Sequence, residues 1–242
     1  MCRIRKRDPG KDEWSAGEFH SVAPGLAPHV ESGIFSSVSP AEESCPRRGS
    51  PATRAIARAL LRLGGWRIVG ELPARSRFVL IVAPHTSNWD FLICILAMFG
   101  LGLRLSWLGK HSLFRFPAGS LLRWLGGEPL DRRATQGTVE VAIARFRSRK
   151  QWVLGLSPEG TRGRTERWKT GFHRIAVGAG VPILPVALDY GQRTLTLREL
   201  FWPGEDGAED IARLHHLFTR SMALHPERFA DLAPAADAHS ET

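Results

Sequence analysis

Cysteine is scarce in this chain: 242 residues hold only three, Cys2, Cys45 and Cys94, each more than forty residues from the next. That spacing offers neither a disulfide framework nor a C-x-x-C metal site, so a reducing compartment is expected. Long hydrophobic runs are also missing. The longest, residues 91–103, has thirteen residues and stops at Arg104, short of the roughly 20 that a bilayer-spanning helix needs. The opening MCRIRKRDPGKDEW is basic with no apolar stretch behind it, so no secretory leader is expected. Histidines 111, 173, 215 and 216 show no ligand spacing such as H-E-x-x-H, and no metal site is expected.

Acidic residues are rare in one segment, and that scarcity locates the net charge of +9. Residues 1–50 carry seven basic and seven acidic side chains, residues 51–125 carry ten and two, and residues 126–242 carry sixteen and fifteen. A concentrated excess of this kind implies a polyanionic partner. The segment opens with ATRAIARALLRLGGW, residues 52–66, where Arg54, Arg58 and Arg62 recur along one helix face and Ile56, Leu60 and Leu63 lie on the other. With Trp66 at its end this reads either as a helix for an anionic membrane surface or as a helix docked on the core with a solvated arginine face. No nucleic-acid partner is expected, because the basic residues from Arg104 to Arg123 are interleaved with core-type side chains and form no nucleic-acid motif.

Residues 1–50 are rich in Ser, Pro, Gly and charge and read as a disordered or loosely packed extension; residues 233–242 read as a frayed tail. Between them, residues 51–232 form one domain. Strands are expected at 78–83, 104–108, 128–131, 152–156, 183–188 and 194–197, and helices at 90–99, 113–125, 135–149, 172–179 and 209–224. The alternation argues for an α/β fold with a largely parallel or mixed central sheet flanked by helices. In such a sheet, ligands bind beyond the carboxyl ends of the strands.

Two polar stretches follow expected strands: His85-Thr-Ser-Asn-Trp-Asp90 after FVLIVA, and Ser157-Pro-Glu-Gly-Thr-Arg162 after WVLGL. His85 and Asp90 can meet if the chain turns at Thr86-Ser87 and a helix starts there. Ser87 and Asp90 also fit the capping box S-x-x-D, in which the acid only satisfies free amides. A nucleophile elbow in Gly155-Leu-Ser157-Pro158-Glu159 is excluded: Pro158 lacks the N–H that must face the oxyanion.

Four ordered blocks, H85-T-S-N-W-D90, G127-E-P-L-D-R132, S157-P-E-G-T-R162 and V181-P-I-L-P-V-A-L188, resemble those of the glycerolipid acyltransferases that include 1-acylglycerol-3-phosphate acyltransferase. The resemblance covers roughly residues 55–200. The chain departs from the pattern at Pro84, Pro129, Ser157 and Gly163. The resemblance implies transfer of a fatty acyl group from a thioester of coenzyme A or acyl-carrier protein to a lysophosphatidate-like hydroxyl, with no other cofactor. It implies His85 as general base, Asp90 as its orienting partner, and Arg132 and Arg162 as phosphate ligands. Glu159, Gly160 and Thr161 belong to the acceptor loop, and Lys110 and Lys169 are further phosphate candidates. An imidazole is suited to take a proton from a lipid hydroxyl near neutral pH. A thiolate of pKa about 8 to 9 leaves with little help. Other lysolipids, such as an amino-acid-containing one, and a catalytically silent membrane-binding protein of the same fold stay open. The expected location is cytoplasmic, peripheral on the inner face of a membrane.

Overall fold

Ser50 starts the first helix: its hydroxyl accepts the Thr53 N–H at 3.2 Å, Pro51 occupies the first turn, and Gly64 closes the other end. This helix, α1 (Pro51–Leu63), is rich in Ala, Leu and Arg, residues that favour helix. The computed structural model describes residues 44–130 and 137–231. In chain order there follow β1 (Arg67–Val69), β2 (Arg77–Ala83), α2 (Trp89–Leu101), β3 (Ser106–Lys110), a 3-10 turn at His111–Phe114, α3 (Ala118–Trp124), β4 (Gly127–Leu130), α4 (Gly137–Ser148) and β5 (Trp152–Leu156). The chain then continues through α5 (Gly171–Ala179), β6 (Ile183–Asp189), β7 (Thr194–Leu197), α6 (Gly207–His215) and 3-10 turns at Arg220–Met222 and Pro226–Arg228.

The seven strands form one sheet in the order β1-β7-β6-β2-β5-β3-β4. Strands β6, β2, β5, β3 and β4 run parallel, β7 is antiparallel to β6, and β1 is parallel to β7. The sheet is therefore mixed and the fold is α/β. Period-two alternation along β2 feeds a core on each face. Val79, Ile81 and Ala83 join Phe146, Trp168, Phe172 and Ile175 of the layer containing α4 and α5. Phe78 and Leu80 join Leu61, Ile93, Ala97 and Met98 of the layer containing α1 and α2.

Several expected boundaries shift for local reasons. The boundary at residue 50 falls inside packed structure, since Cys45 is buried in the α1–α2 core and Arg47 bridges Leu103. The helix expected at 113–125 splits at Pro117 into a 3-10 turn and α3. The helix expected at 209–224 ends at His215 and gives way to 3-10 turns. Strand β3 starts two residues later than expected, and the three-residue β1 was not expected.

The docking of α1 departs from the reading that lays its apolar face on the core. It meets the core through Ala57 and Leu61, and the Arg58 guanidinium donates to the Gly100 carbonyl of α2 at 2.8 Å. Arg54, also expected on an outward basic face, is half-buried and lies over Gly102, which ends α2 in the left-handed conformation. The apolar stripe Ile56, Leu60 and Leu63 points into solvent, at 61, 48 and 85% exposure. Among the described residues no helix is long and apolar enough to cross a membrane.

Candidate active site

Because five strands run parallel, their carboxyl ends share one edge, and the loops after β2 and β5 open together there. After Ala83 the chain leaves β2, turns through Thr86 and Ser87, and enters α2 at Trp89. The turn folds His85 back over the first helical turn, so that its Nδ1 lies 3.2 Å from Asp90 Oδ2. An ionised carboxylate only accepts, so Nδ1 carries a proton, and in the neutral imidazole Nε2 is then the free lone pair. The His85 side chain is 21% exposed and the Asp90 side chain 0%. The imidazole therefore reaches the surface while its partner stays dry.

Asp90 also satisfies the capping reading. Its Oδ2 accepts the Ser87 N–H at 2.7 Å, and the Ser87 hydroxyl accepts the Trp89 N–H at 3.2 Å. One carboxylate thus closes the helix start and faces the imidazole, and the two readings of the motif describe the same geometry. A third donor, the Tyr190 hydroxyl, reaches Oδ1 at 2.5 Å. Burial alone would raise the Asp90 pKa, but the hydrogen bonds from His85, Tyr190 and the Ser87 amide outweigh it and hold the carboxyl below its ordinary value.

Glu159 faces the same loop from β5. It is buried, and its Oε2 accepts the His85 backbone N–H at 2.7 Å. Its other oxygen and the nearby Ser157 hydroxyl are buried without a partner among the described residues. Burial pushes the Glu159 carboxyl up to about 7, against the lowering effect of the His85 amide. Gly160 has φ +67°, and a Cβ there would lie 3.0 Å from the Lys169 stem, so this turn requires glycine. Thr161 is exposed, and its hydroxyl accepts the Gly163 N–H at 3.2 Å, a bond internal to the turn.

Arg162 is exposed at the rim, where its guanidinium donates to the Asn88 side-chain oxygen at the start of α2. Lys169 is also exposed, and its backbone N–H donates to the Pro158 carbonyl at 2.6 Å. Lys110 ends β3 on the same sheet edge. Arg132 lies outside the described residues.

Two supports of the site have no motif in the sequence. Tyr190 directly follows β6, a parallel strand ending at the His85 edge, and that position is the signal that could have found it. The C-terminal segment braces the loop that carries His85: the His225 N–H donates to the Thr86 hydroxyl at 3.3 Å, and Arg228 donates to the Thr86 carbonyl at 3.1 Å. A second pair, His173 and Asp210 at 2.8 Å, joins α5 to α6. Both its members are buried, so it clamps two helices where a substrate has no access. The two His–Asp pairs thus differ in exposure: the His85 imidazole reaches the surface and the His173 imidazole does not.

The family model described as Acyltransferase matches residues 67–189. The 1-acyl-sn-glycerol-3-phosphate acyltransferase of Escherichia coli strain K12 is 34% identical over 100 residues, which cover 38% of this chain and 40% of that protein. The enzyme of the same name from Haemophilus influenzae is 29% identical over 136 residues, covering 52% and 55%. The matches thus span from two fifths to just over half of these curated relatives. The solved structure of the 1-acyl-sn-glycerophosphate (LPA) acyltransferase PlsC from Thermotoga maritima superimposes with a TM-score of 0.51 at 21% identity, over 69% of this chain and 75% of that one. It shares the fold. With the family model covering the sheet from β1 to β6 and both loops of the site, the chain belongs to the Acyltransferase family.

Proposed function

We propose that this protein transfers a fatty acyl group from a thioester, acyl-CoA or acyl-carrier protein, to the hydroxyl of a lysophosphatidate-like lysolipid. The observation that carries the reading is the dyad: a partly exposed imidazole whose Nδ1 faces a fully buried carboxylate at 3.2 Å, at the carboxyl edge of a largely parallel sheet. The Nε2 lone pair takes the acceptor's hydroxyl proton as the oxygen attacks the thioester carbonyl. Asp90 fixes the tautomer and stabilises the imidazolium that forms. Collapse of the tetrahedral intermediate expels the thiolate, which the imidazolium can reprotonate, returning His85 to its starting state. The amides of Ser87 and Trp89 are already bonded to side chains, so oxyanion donors have to come from elsewhere around the helix start.

Arg162 suits the acceptor's phosphate, since its planar fork can exchange the neutral Asn88 oxygen for a charged one. The membrane is the second partner proposed. Of fourteen large hydrophobic side chains exposed among the described residues, ten lie between Ile56 and Trp124, the stretch that also holds the basic excess. Ile56, Leu60 and Leu63 of α1, Leu92 of α2, Phe116 at 96% exposure, and Leu121 and Trp124 of α3 can enter an interface while the exposed Arg62 and Arg115 face anionic headgroups. Apolar side chains bare on one helical layer fit an enzyme that takes its acceptor from a bilayer, on a cytoplasmic, inner-leaflet surface.

The test is lipid mass spectrometry of purified protein offered a panel of lysolipids with acyl-CoA or acyl-carrier protein. The expected product is diacylated phosphatidate. Acylation of an amino-acid-containing lysolipid in its place reassigns the acceptor, and no product with any pair contradicts the proposal.

A further inference from the structure

We propose that Tyr190 is a positioning residue of the dyad: its phenol, itself held by Trp66, locks the Asp90 carboxylate so that Oδ2 faces His85. The inference rests on His85 acting as the base.

Burial strips the Asp90 carboxylate of water, so its two oxygens need protein donors. Oδ2 has two, the Ser87 N–H at 2.7 Å and His85 Nδ1 at 3.2 Å. Oδ1 has the Tyr190 hydroxyl at 2.5 Å, the shortest of the three and in the range of a charge-assisted O–H···O⁻ bond. With donors on one oxygen alone the carboxylate could swing about its last torsion, a broad and soft coordinate. The phenol removes that freedom from the far side.

Tyr190 is in turn fixed at three points. Its N–H donates to the Met222 carbonyl at 2.9 Å. Its ring meets the buried Trp66 edge-on, with centroids 4.9 Å apart and planes at 89°. Its hydroxyl is committed to Asp90. Burial and the Asp90 charge together push the phenol far above its ordinary pKa, so it remains a donor across the working range. Trp66 lies beyond the end of α1, joined to it through Gly64 and Gly65, so a short link connects the helix that bears the exposed apolar stripe to the wedge behind the dyad.

Other titratable or charged groups face the pair. Glu159 holds the His85 amide, and Cys94 lies one turn along α2 with its thiol pushed up to about 12 by burial. Arg162 sits on Asn88, while Arg228 and His225 bond Thr86, with Glu227 beside both. All are unchanged by a substitution at 190, so a difference between variant and wild type reports the dyad.

In Tyr190→Phe, Oδ1 becomes a buried oxygen without its donor, and the dyad takes up a proton at higher pH. The expected result is a kcat about tenfold lower, KM for both substrates within about twofold, and an acid limb of kcat/KM moved up by roughly half to one pH unit. Tyr190 is the only tyrosine of the chain, so biosynthetic incorporation of 3-fluorotyrosine alters this hydroxyl alone. The more acidic phenol donates more strongly and should move the same limb down with the rate largely kept. A purely structural tyrosine would lower Tm in Tyr190→Phe and leave both limbs in place.

Wild-type kcat and an unmoved acid limb in Tyr190→Phe overturn the proposal. If Tyr190→Phe does not fold, the fluorotyrosine protein decides, and an unmoved limb there is equally fatal. His85→Ala is measured alongside. An active His85→Ala protein overturns the base reading, whereas an inactive one beside an unaffected Tyr190→Phe overturns this inference alone.

Discussion

Replacing Asp90 with Asn separates the two duties of that side chain, because the amide can reproduce the cap and cannot carry the charge. Its oxygen can occupy the Oδ2 position and accept from Ser87 N–H and His85 Nδ1, as the carboxylate does at 2.7 and 3.2 Å. Its NH2 then faces the Tyr190 oxygen, which can turn to accept. Asn caps helices about as well as Asp, so the expected stability loss is about 1 kcal/mol or less. The lost electrostatics are larger. A carboxylate and an imidazolium with charge centres about 4 Å apart interact by about 4 kcal/mol at an effective dielectric of 20. About 4 kcal/mol in the transition state corresponds to roughly three decades in rate. Because the proton is only partly transferred at that point, a fall in kcat of between about 10² and 10³ is expected, with KM little changed. Stopped assays with purified Asp90→Asn protein, paired with a thermal melt, read both quantities. A lowered Tm with kcat intact would show that Asp90 is a helix cap and nothing more, and would refute the dyad.

Glu159→Gln should alter the pH dependence of stability. A carboxyl raised from about 4.5 to about 7 on folding binds a proton in the native state that the unfolded chain has released, so wild-type stability falls as pH rises through that interval. The fall is on the order of 3 kcal/mol. Melts at pH 5 and 8 should show the loss in wild type and a flatter response in Glu159→Gln; parallel curves would disprove the raised carboxyl. Arg162→Lys keeps the charge and loses the fork, so kcat/KM for a phosphate-bearing acceptor should drop about tenfold while slow thioester hydrolysis is spared. Equal use of lysophosphatidate by both proteins would remove Arg162 from the acceptor site. Membrane binding is best tested on the apolar stripe, since Arg54 and Arg58 contact Ser50 and α2. Leu60→Asp with Leu63→Asp should abolish sedimentation with anionic vesicles at unchanged Tm, and undiminished sedimentation would place the contact elsewhere.

The geometry of the site motif was legible because it is local. His85, Thr86, Ser87 and Asp90 lie within one turn of chain, and the helix start that brings the imidazole over the carboxylate follows from their order. The α/β alternation was legible because buried parallel strands such as residues 152–156 are continuous apolar runs. What escaped is non-local. A helical wheel finds the two faces of α1 and cannot say which one α2 covers; the choice was made by small Ala57, which permits close approach, and by Arg58, whose guanidinium finds the Gly100 carbonyl. Tyr190 lies a hundred positions from Asp90, and no periodicity links them. The brace from His225 and Arg228 to Thr86 is separated from its partner by more of the chain still. The bond from Arg162 to the Asn88 side-chain oxygen also joins segments far apart in the chain.

The central claim is that His85 is the base of an acyl transfer. It is tested most directly by incubating wild-type and His85→Ala proteins with lysophosphatidate and an acyl thioester and weighing the lipid products by mass spectrometry. Phosphatidate formed by the wild type and reduced at least a thousandfold in His85→Ala, at matched Tm, is the result expected. Phosphatidate formed at equal rates by both proteins contradicts it.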